Sequence, residues 1–215
     1  MFRGLAPDEL EALVAYIIPC NYEAGATIFL MGAAGDSLMT VISGSVGISV
    51  SAADGREIRL ATFGEGEFFG EIALFDGKKR SATATAITAC RLAVLQRRDL
   101  LAFLGRQSGI WLKIVEALCS RLRLTDQQIA EVALLPLPVR LAKVLVRIAT
   151  PKPGVRGLLW QVNISQGELG KIVGASRESV NRCFRDWQRG GVLAVKEGTI
   201  TILDRSGLEQ LAEIG

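Results

Sequence analysis

Apolar and polar positions follow three different rhythms along the chain. Over residues 2–18 they recur at helical spacing, with Leu10, Leu13, Val14 and Ile17 on one face, which predicts a short amphipathic helix. After Pro19 the rhythm changes to short apolar runs: TIFLMG, SLMTVISG, SVGISVSAADG, REIRLATFGEG and RLAVLQ. Gly25, Gly35, Gly44, Gly55, Gly66 and Gly77 fall between or beside these runs. Many short strands punctuated by glycine predict a sandwich or a jelly roll, and periodicity does not choose between them.

The third rhythm is helical again. A helix is expected over residues 98–107, an interruption at Ser108-Gly109, and a long helix from near Ile110. Trp111, Val115, Leu118, Leu122, Thr125, Ile129 and Val132 recur at alternating spacings of four and three, a heptad stripe suited to a paired coiled coil. A helix docked on its own barrel would show an apolar side as well. Leu112, Ile114 and Cys119 add a second apolar face, so contact with both a barrel and a second copy of the chain is expected. A Leu-Pro-Leu-Pro hinge at 135–138 then opens a helix carrying Leu141, Val144, Leu145 and Ile148. Pro151, Pro153 and Gly154 predict a loop, followed by a strand over 158–162.

The segment ISQGELGKIVGASRESVNRCFRDWQRGGVL carries two helix starts in succession. Ser165 with Glu168 forms a capping box, and Ser176 caps a second helix beyond the turn at Gly174. On that second helix Val180, Phe184 and Trp187 can pack inward, leaving Arg177, Glu178, Asn181, Arg182 and Arg185 outward. Arginine can donate two bonds to guanine O6 and N7, and glutamate can accept from cytosine N4. Arg177 and Glu178 in the first turn, with Arg182 one turn later, therefore suit a helix laid in the major groove. Gln166, Lys171 and Ser179 suit phosphate contacts, which position the protein without reading bases. LAVKEGTITIL reads as a hairpin turning at Glu197–Gly198, the wing of a winged helix. Packing helices with merely solvated charges are the plainer alternative, but two caps, a turn, an Arg-rich face and a wing in this order favour DNA.

Residues 68–86, FFGEIALFDGKKRSATATA, form the other informative stretch. Gly70 lets backbone amides approach an anion, and the residues after it can form one helical turn. Arg80 would add a charge-assisted contact and Ser81 a hydroxyl. Glu71 beside a phosphate is repulsive unless it accepts from a hydroxyl such as a ribose 2′-OH. One phosphate, one ribose hydroxyl and one base describe a cyclic nucleotide. Taken alone, the stretch also fits an ordinary barrel rim.

Charge and composition narrow the classes. The overall charge of +3 divides unevenly: residues 136–215 carry 12 Lys and Arg against 7 Asp and Glu, and residues 1–135 carry 13 against 15. Only the C-terminal part has the sign that favours a phosphate backbone. Histidine is absent, which removes Ser-His-Asp and Cys-His catalysis, His-ligated haem and the usual His-containing zinc sites. No enzyme and no metal site are expected. Cys20, Cys90, Cys119 and Cys183 are scattered and read as reduced thiols. Asp8, Glu9 and Glu11 speak against a secretory leader, and no long uncharged apolar run predicts a membrane span, so a cytoplasmic protein is expected.

Taken together, GEIALFDGKKRSATATA and GASRESVNRCF resemble the phosphate-binding cassette and the recognition helix of the cyclic-AMP receptor protein/FNR family of bacterial transcription regulators. The resemblance covers nearly the whole chain. It implies an α+β protein with a jelly-roll barrel that binds a cyclic nucleotide over 1–107, a dimerisation helix over 108–135, and a winged helix-turn-helix over 136–215. It implies that Gly70, Glu71, Ile72, Arg80 and Ser81 hold ribose and phosphate. RLRLTDQQ resembles the adenine-contacting stretch, with Thr125 at the key threonine and Arg121 at a residue that approaches the matched glutamate. Asp126 stands where the best-known cyclic-AMP receptor has serine, a position that reaches the partner's nucleotide, so cyclic AMP and cyclic GMP both remain open. The oxygen-sensing members need a cysteine cluster and the haem-based members a histidine, and this chain has neither. The base-reading residues match Arg177, Glu178 and Arg182, implying a homodimer on a two-fold site similar to TGTGA and contact with RNA polymerase. A cyclic dinucleotide, or no effector at all, is the alternative for the barrel.

Overall fold

The computed structural model describes residues 13–53, 57–105, 108–154 and 157–214. They fall into two compact units, one reaching to Val50 and resuming over Leu60–Leu124, the other formed by Ser51–Arg59 and the chain from Thr125 onward.

Among the described residues, eight short strands build the first fold. One sheet has the order β1 (Ile18–Tyr22), β8 (Cys90–Gln96), β3 (Ser37–Ser43), β6 (Phe68–Phe69). The other has the order β2 (Thr27–Phe29), β7 (Thr83–Ala86), β4 (Val46–Ser51), β5 (Glu57–Phe63). Chain-consecutive strands change sheet at almost every connection, which distinguishes a jelly roll from a sandwich of hairpins. Alternate residues of each strand point inward, so Met39, Val41, Val46, Phe69, Ala84, Leu92 and Val94 meet in one buried cluster. The chain turns from β3 into β4 at Gly44, where φ is 86°. A Cβ there would lie 2.7 Å from the Cys90 Cβ and would also collide with the Ala89 carbonyl. Of the helix expected over 2–18, residues 2–12 lie outside the described ones; Leu13 and Val14 are helical, and β1 has begun by Ile18.

Helix α1 (Glu71–Asp76) follows β6, and α2 (Arg97–Leu104) follows β8. The long α3 spans Ser108–Leu134, 27 residues, or about 40 Å. Its Ile110 and Ile114 are buried with Leu38, Phe68, Leu95 and Leu104, and Ala117 and Leu118 pack against the same cluster. The expected second face is therefore shifted in phase: Ile114 is buried, but Leu112 and Cys119 are exposed. Of the heptad stripe, Trp111, Val115, Leu122, Ile129 and Val132 are exposed in the single chain.

The second unit holds α4 (Leu137–Ile148), a sheet of order β11-β12-β10-β9, and three further helices. These are α5 (Gln166–Val173), α6 (Arg177–Arg189) and α7 (Arg205–Glu213). Leu141, Leu145, Leu169, Val180, Phe184 and Leu208 meet in its core. The wing is β11 (Leu193–Lys196) and β12 (Thr199–Ile202), closed by Glu197 at φ 50° and Gly198 at φ 80°, the turn the sequence predicts. The loop predicted at Pro151–Gly154 is instead an edge strand. There β9 (Thr150–Gly154) pairs with β10 (Gly157–Asn163), placing Lys152 opposite Leu159 and Pro151 opposite Trp160. Both prolines share one parity, so their missing N–H groups can face away from the ladder, which an edge strand tolerates. Among the described residues no helix is long and apolar enough to cross a membrane.

Gly44→Ala is expected to destabilise the first unit by at least about 2 kcal/mol, from left-handed strain and overpacking together. Urea unfolding followed by circular dichroism measures it, and an unchanged midpoint would contradict the tight β3–β4 corner.

Candidate ligand cradle and nucleic-acid interface

Arg80 is only 4% exposed, an unusual position for a guanidinium. Its Nη1 donates to the Gly70 carbonyl at 2.8 Å, and its Nη2 donates to the Ser37 carbonyl at 3.0 Å and to the Ser37 hydroxyl at 2.9 Å. The Phe29 ring lies 4.2 Å from the guanidinium carbon. The Arg80 Nε is buried and has no acceptor among the described residues. Burial pushes the Arg80 pKa below its ordinary value, against the opposing pull of Asp36 and Glu71. Gly70 has φ 84°, and a Cβ there would lie 2.7 Å from the Arg80 Nη1 and 3.1 Å from the Ser37 carbonyl. Glycine is therefore required both by the backbone and by the guanidinium packed on it.

Glu71 opens α1 and is 5% exposed. Its Oε1 meets the Arg121 Nη1 of α3 at 2.6 Å, and the Arg121 Nη2 also donates to the Phe68 carbonyl. The Arg121 guanidinium carbon lies 4.2 Å from the Phe68 ring centroid and 4.6 Å from that of Phe63. Gly70, Glu71, Arg80 and Arg121 thus converge in the first unit. Ile72 and Ser81 lie on the same segment but face solvent, and Thr125 and Asp126 are exposed on α3. Ser37, Phe29, Phe63 and Phe68 complete the cradle without having been singled out by any sequence motif.

In the second unit Ser165 caps α5 by accepting from the Glu168 N–H at 3.1 Å, one half of the expected capping box. The Glu168 carboxylate instead accepts from Arg59 at 2.8 Å and pairs with Lys171 at 3.0 Å. Lys171 also pairs with Glu57 at 2.8 Å, and that hydrogen bond, reinforced by Glu168 against the cost of burial, raises its pKa. The phosphate contact expected of Lys171 thus has two carboxylates to compete with. Ser176 caps α6 by accepting from the Ser179 N–H at 3.1 Å. Val180, Cys183 and Phe184 are buried, and Trp187 stacks on Phe184 with 5.9 Å between ring centroids. Arg177, Glu178, Arg182 and Arg185 are exposed, with Gln166, Ser179 and Asn181 half-buried. The ion pair between two of the outward residues, Glu178 to Arg182 at 3.8 Å, is so open to water that it contributes little and leaves both ends available.

Comparison with known proteins fits this layout. A family model for the cyclic nucleotide-binding domain matches residues 19–107, and one for the Crp-like helix-turn-helix domain matches residues 139–211. A CRP-like cAMP-activated global transcriptional regulator of Mycobacterium tuberculosis is 32% identical over 214 residues, spanning 99% of this chain and 96% of the relative. The chain belongs to the Crp/Fnr family of transcription regulators. The cyclic AMP receptor protein of Thermus thermophilus is likewise 32% identical, over 99% of this chain and 96% of its own length. Among solved structures, the c-di-GMP responsive global regulator CLP of Xanthomonas campestris superposes with a TM-score of 0.81 at 29% identity, covering 92% of this chain and 99% of that one. As a Crp/Fnr regulator the protein combines a cyclic nucleotide-binding domain with a DNA-binding helix-turn-helix, and it is not an enzyme.

The inward face of the recognition helix has a chemical consequence. Burial, with Asp186 adding to it, pushes the Cys183 thiol up to about 11. At pH 8 the thiolate is about a thousandth of the population, so an alkylating reagent is expected to modify Cys183 only after denaturation. Stability from this group is constant below the ordinary thiol range and falls as pH rises towards 11, because the unfolded thiol ionises first. Mass spectrometry of native and unfolded protein checks the labelling, and rapid native modification would contradict the burial.

Proposed function

We propose that the protein is a homodimer whose barrel binds cyclic AMP, or cyclic GMP, and whose recognition helices read a two-fold site similar to TGTGA. The observation that carries the ligand half is the buried Arg80 with its Nε donor unfilled. An unpaired donor on a buried cation is costly, and an anionic oxygen is the partner that best removes the cost. Gly70, Glu71, Ile72, Arg80 and Ser81 would hold phosphate and ribose, Arg121 would orient Glu71, and Thr125 with Asp126 would meet the base. The division of labour follows as 1–107 for nucleotide, 108–135 for dimerisation and 136–215 for DNA.

The exposed stripe Trp111, Val115, Leu122, Ile129 and Val132 supports pairing of two α3 helices. On α6, Arg177, Glu178 and Arg182 would contact base edges. Ser176 and Ser179 at its start, Asn181, and Gln166 on α5 would contact the backbone. Two such helices would enter successive major grooves ~34 Å apart. RNA polymerase is the expected protein partner. A cyclic dinucleotide is the second reading, supported by the likeness to the c-di-GMP responsive regulator.

Calorimetric titration of nucleotide-stripped protein tests the proposal. Saturable binding near one cyclic AMP or cyclic GMP per protomer is expected, with loss of most affinity in Arg80→Ala. No heat with either nucleotide, or equal affinity in wild type and Arg80→Ala, would overturn the site; heat with cyclic di-GMP alone would favour the second reading.

A further inference from the structure

We infer that Ser37, at the start of β3, is a positioning residue that aims the Arg80 guanidinium at the ligand. The inference rests on the ligand reading above. A guanidinium has five N–H donors on a flexible stem, so burial alone does not fix where its free edge points. Three acceptors fix it here, and two of them belong to Ser37. The Gly70 and Ser37 carbonyls are main-chain groups that survive substitution of the side chain. Of these three acceptors the Ser37 hydroxyl, at 2.9 Å, is the one that belongs to a side chain. Ser37 is itself 6% exposed, so water cannot readily replace that hydroxyl.

With Nη1 turned to Gly70 and Nη2 turned to Ser37, the Nε is the nitrogen left without an acceptor. Phe29 closes one face of the guanidinium plane. Ser37 thus acts through Arg80: it takes up Nη2 so that Nε remains for the anion. Removing the hydroxyl leaves the buried, charged Nη2 with the Ser37 carbonyl alone, so one of its two N–H groups loses its acceptor and the aim of the guanidinium loosens.

Ser37→Thr keeps the hydroxyl, and Ser37→Val has nearly the shape of threonine without it. In the full-length protein, Ser37→Val is expected to weaken cyclic AMP binding about tenfold, with Ser37→Thr within about twofold of wild type, the size appropriate to one hydrogen bond to a charged group. In an Arg80→Lys background, which has no Nη2, the Val and Thr variants should bind alike. Should Ser37→Val not fold, Ser37→Ala takes its place, with melting temperature without nucleotide measured for every variant. The 15N-edited Nε–H resonance of Arg80 gives a ligand-free readout: slow exchange in wild type and Ser37→Thr, faster exchange in Ser37→Val. Equal affinities for Val and Thr, an equal loss in the Arg80→Lys background, or an unchanged Nε signal would each overturn the role of Ser37. Absence of nucleotide binding by the wild type would overturn the ligand reading instead, and the Nε signal would still decide whether Ser37 holds Arg80.

Discussion

A buried guanidinium must have acceptors, and in this protein that requirement organises the whole cassette between β6 and β7. Arg80 sits almost out of water, so its donors have to find oxygens in the fold. The Gly70 carbonyl is one of them, and the left-handed turn at Gly70 brings that carbonyl to Nη1. The same turn starts α1 and directs Glu71 inward, where Arg121 neutralises it. A single constraint, the satisfaction of Arg80, therefore links a glycine, a short helix, a carboxylate and a second arginine on a different helix. The donor it leaves unfilled is where an anionic ligand would complete the arrangement.

The long helix has two faces with different jobs. One, carrying Ile110, Ile114 and Arg121, belongs to the core and cradle of the first unit. The other leaves large apolar residues in water, including Leu122 at 62% and Ile129 at 62% exposure. Apolar residues repeated at heptad spacing on an exposed face are stable in water only at a cost, and a second copy of the same helix would relieve it for every position at once. Because Arg121 lies one turn before Thr125 on this helix, a ligand acting on Glu71 would act on the element that carries the stripe.

How much of this was legible in the sequence depended on whether the determining contacts were local. The helix-turn-helix was readable because caps at Ser165 and Ser176 and the inward triplet Val180, Phe184 and Trp187 are set within a turn or two. Short apolar runs marked β2, β3, β4, β5 and β8, but β6 is only two residues long and β7 is the small-residue segment TATA, so neither produced an apolar run. At β9 the prolines concealed a strand, since propensity says nothing of which parity faces the neighbour. Glu168 looked like half of a reciprocal capping box, yet Arg59, more than a hundred positions earlier, claims its carboxylate. Glu57, on the same strand as Arg59, engages Lys171 in the same way. Ser37 was invisible for the same reason: it meets Arg80 across 43 residues and sits in no motif. The phase of the core-facing side of α3 was misjudged at Leu112 and Cys119 because that side, Ile110, Ile114 and Ala117, keeps the heptad spacing one position before the stripe, which leaves Leu112 and Cys119 outside it.

The most direct test of the account is the affinity of the protein for a duplex carrying a two-fold TGTGA-like site, measured by fluorescence anisotropy at fixed salt with and without saturating nucleotide. If the Arg80 cradle is a sensor coupled to the recognition helices, cyclic AMP or cyclic GMP tightens binding, by ~5- to 150-fold for an ordinary coupling energy. Equal affinity with and without either nucleotide, at a site the protein does bind, would contradict it.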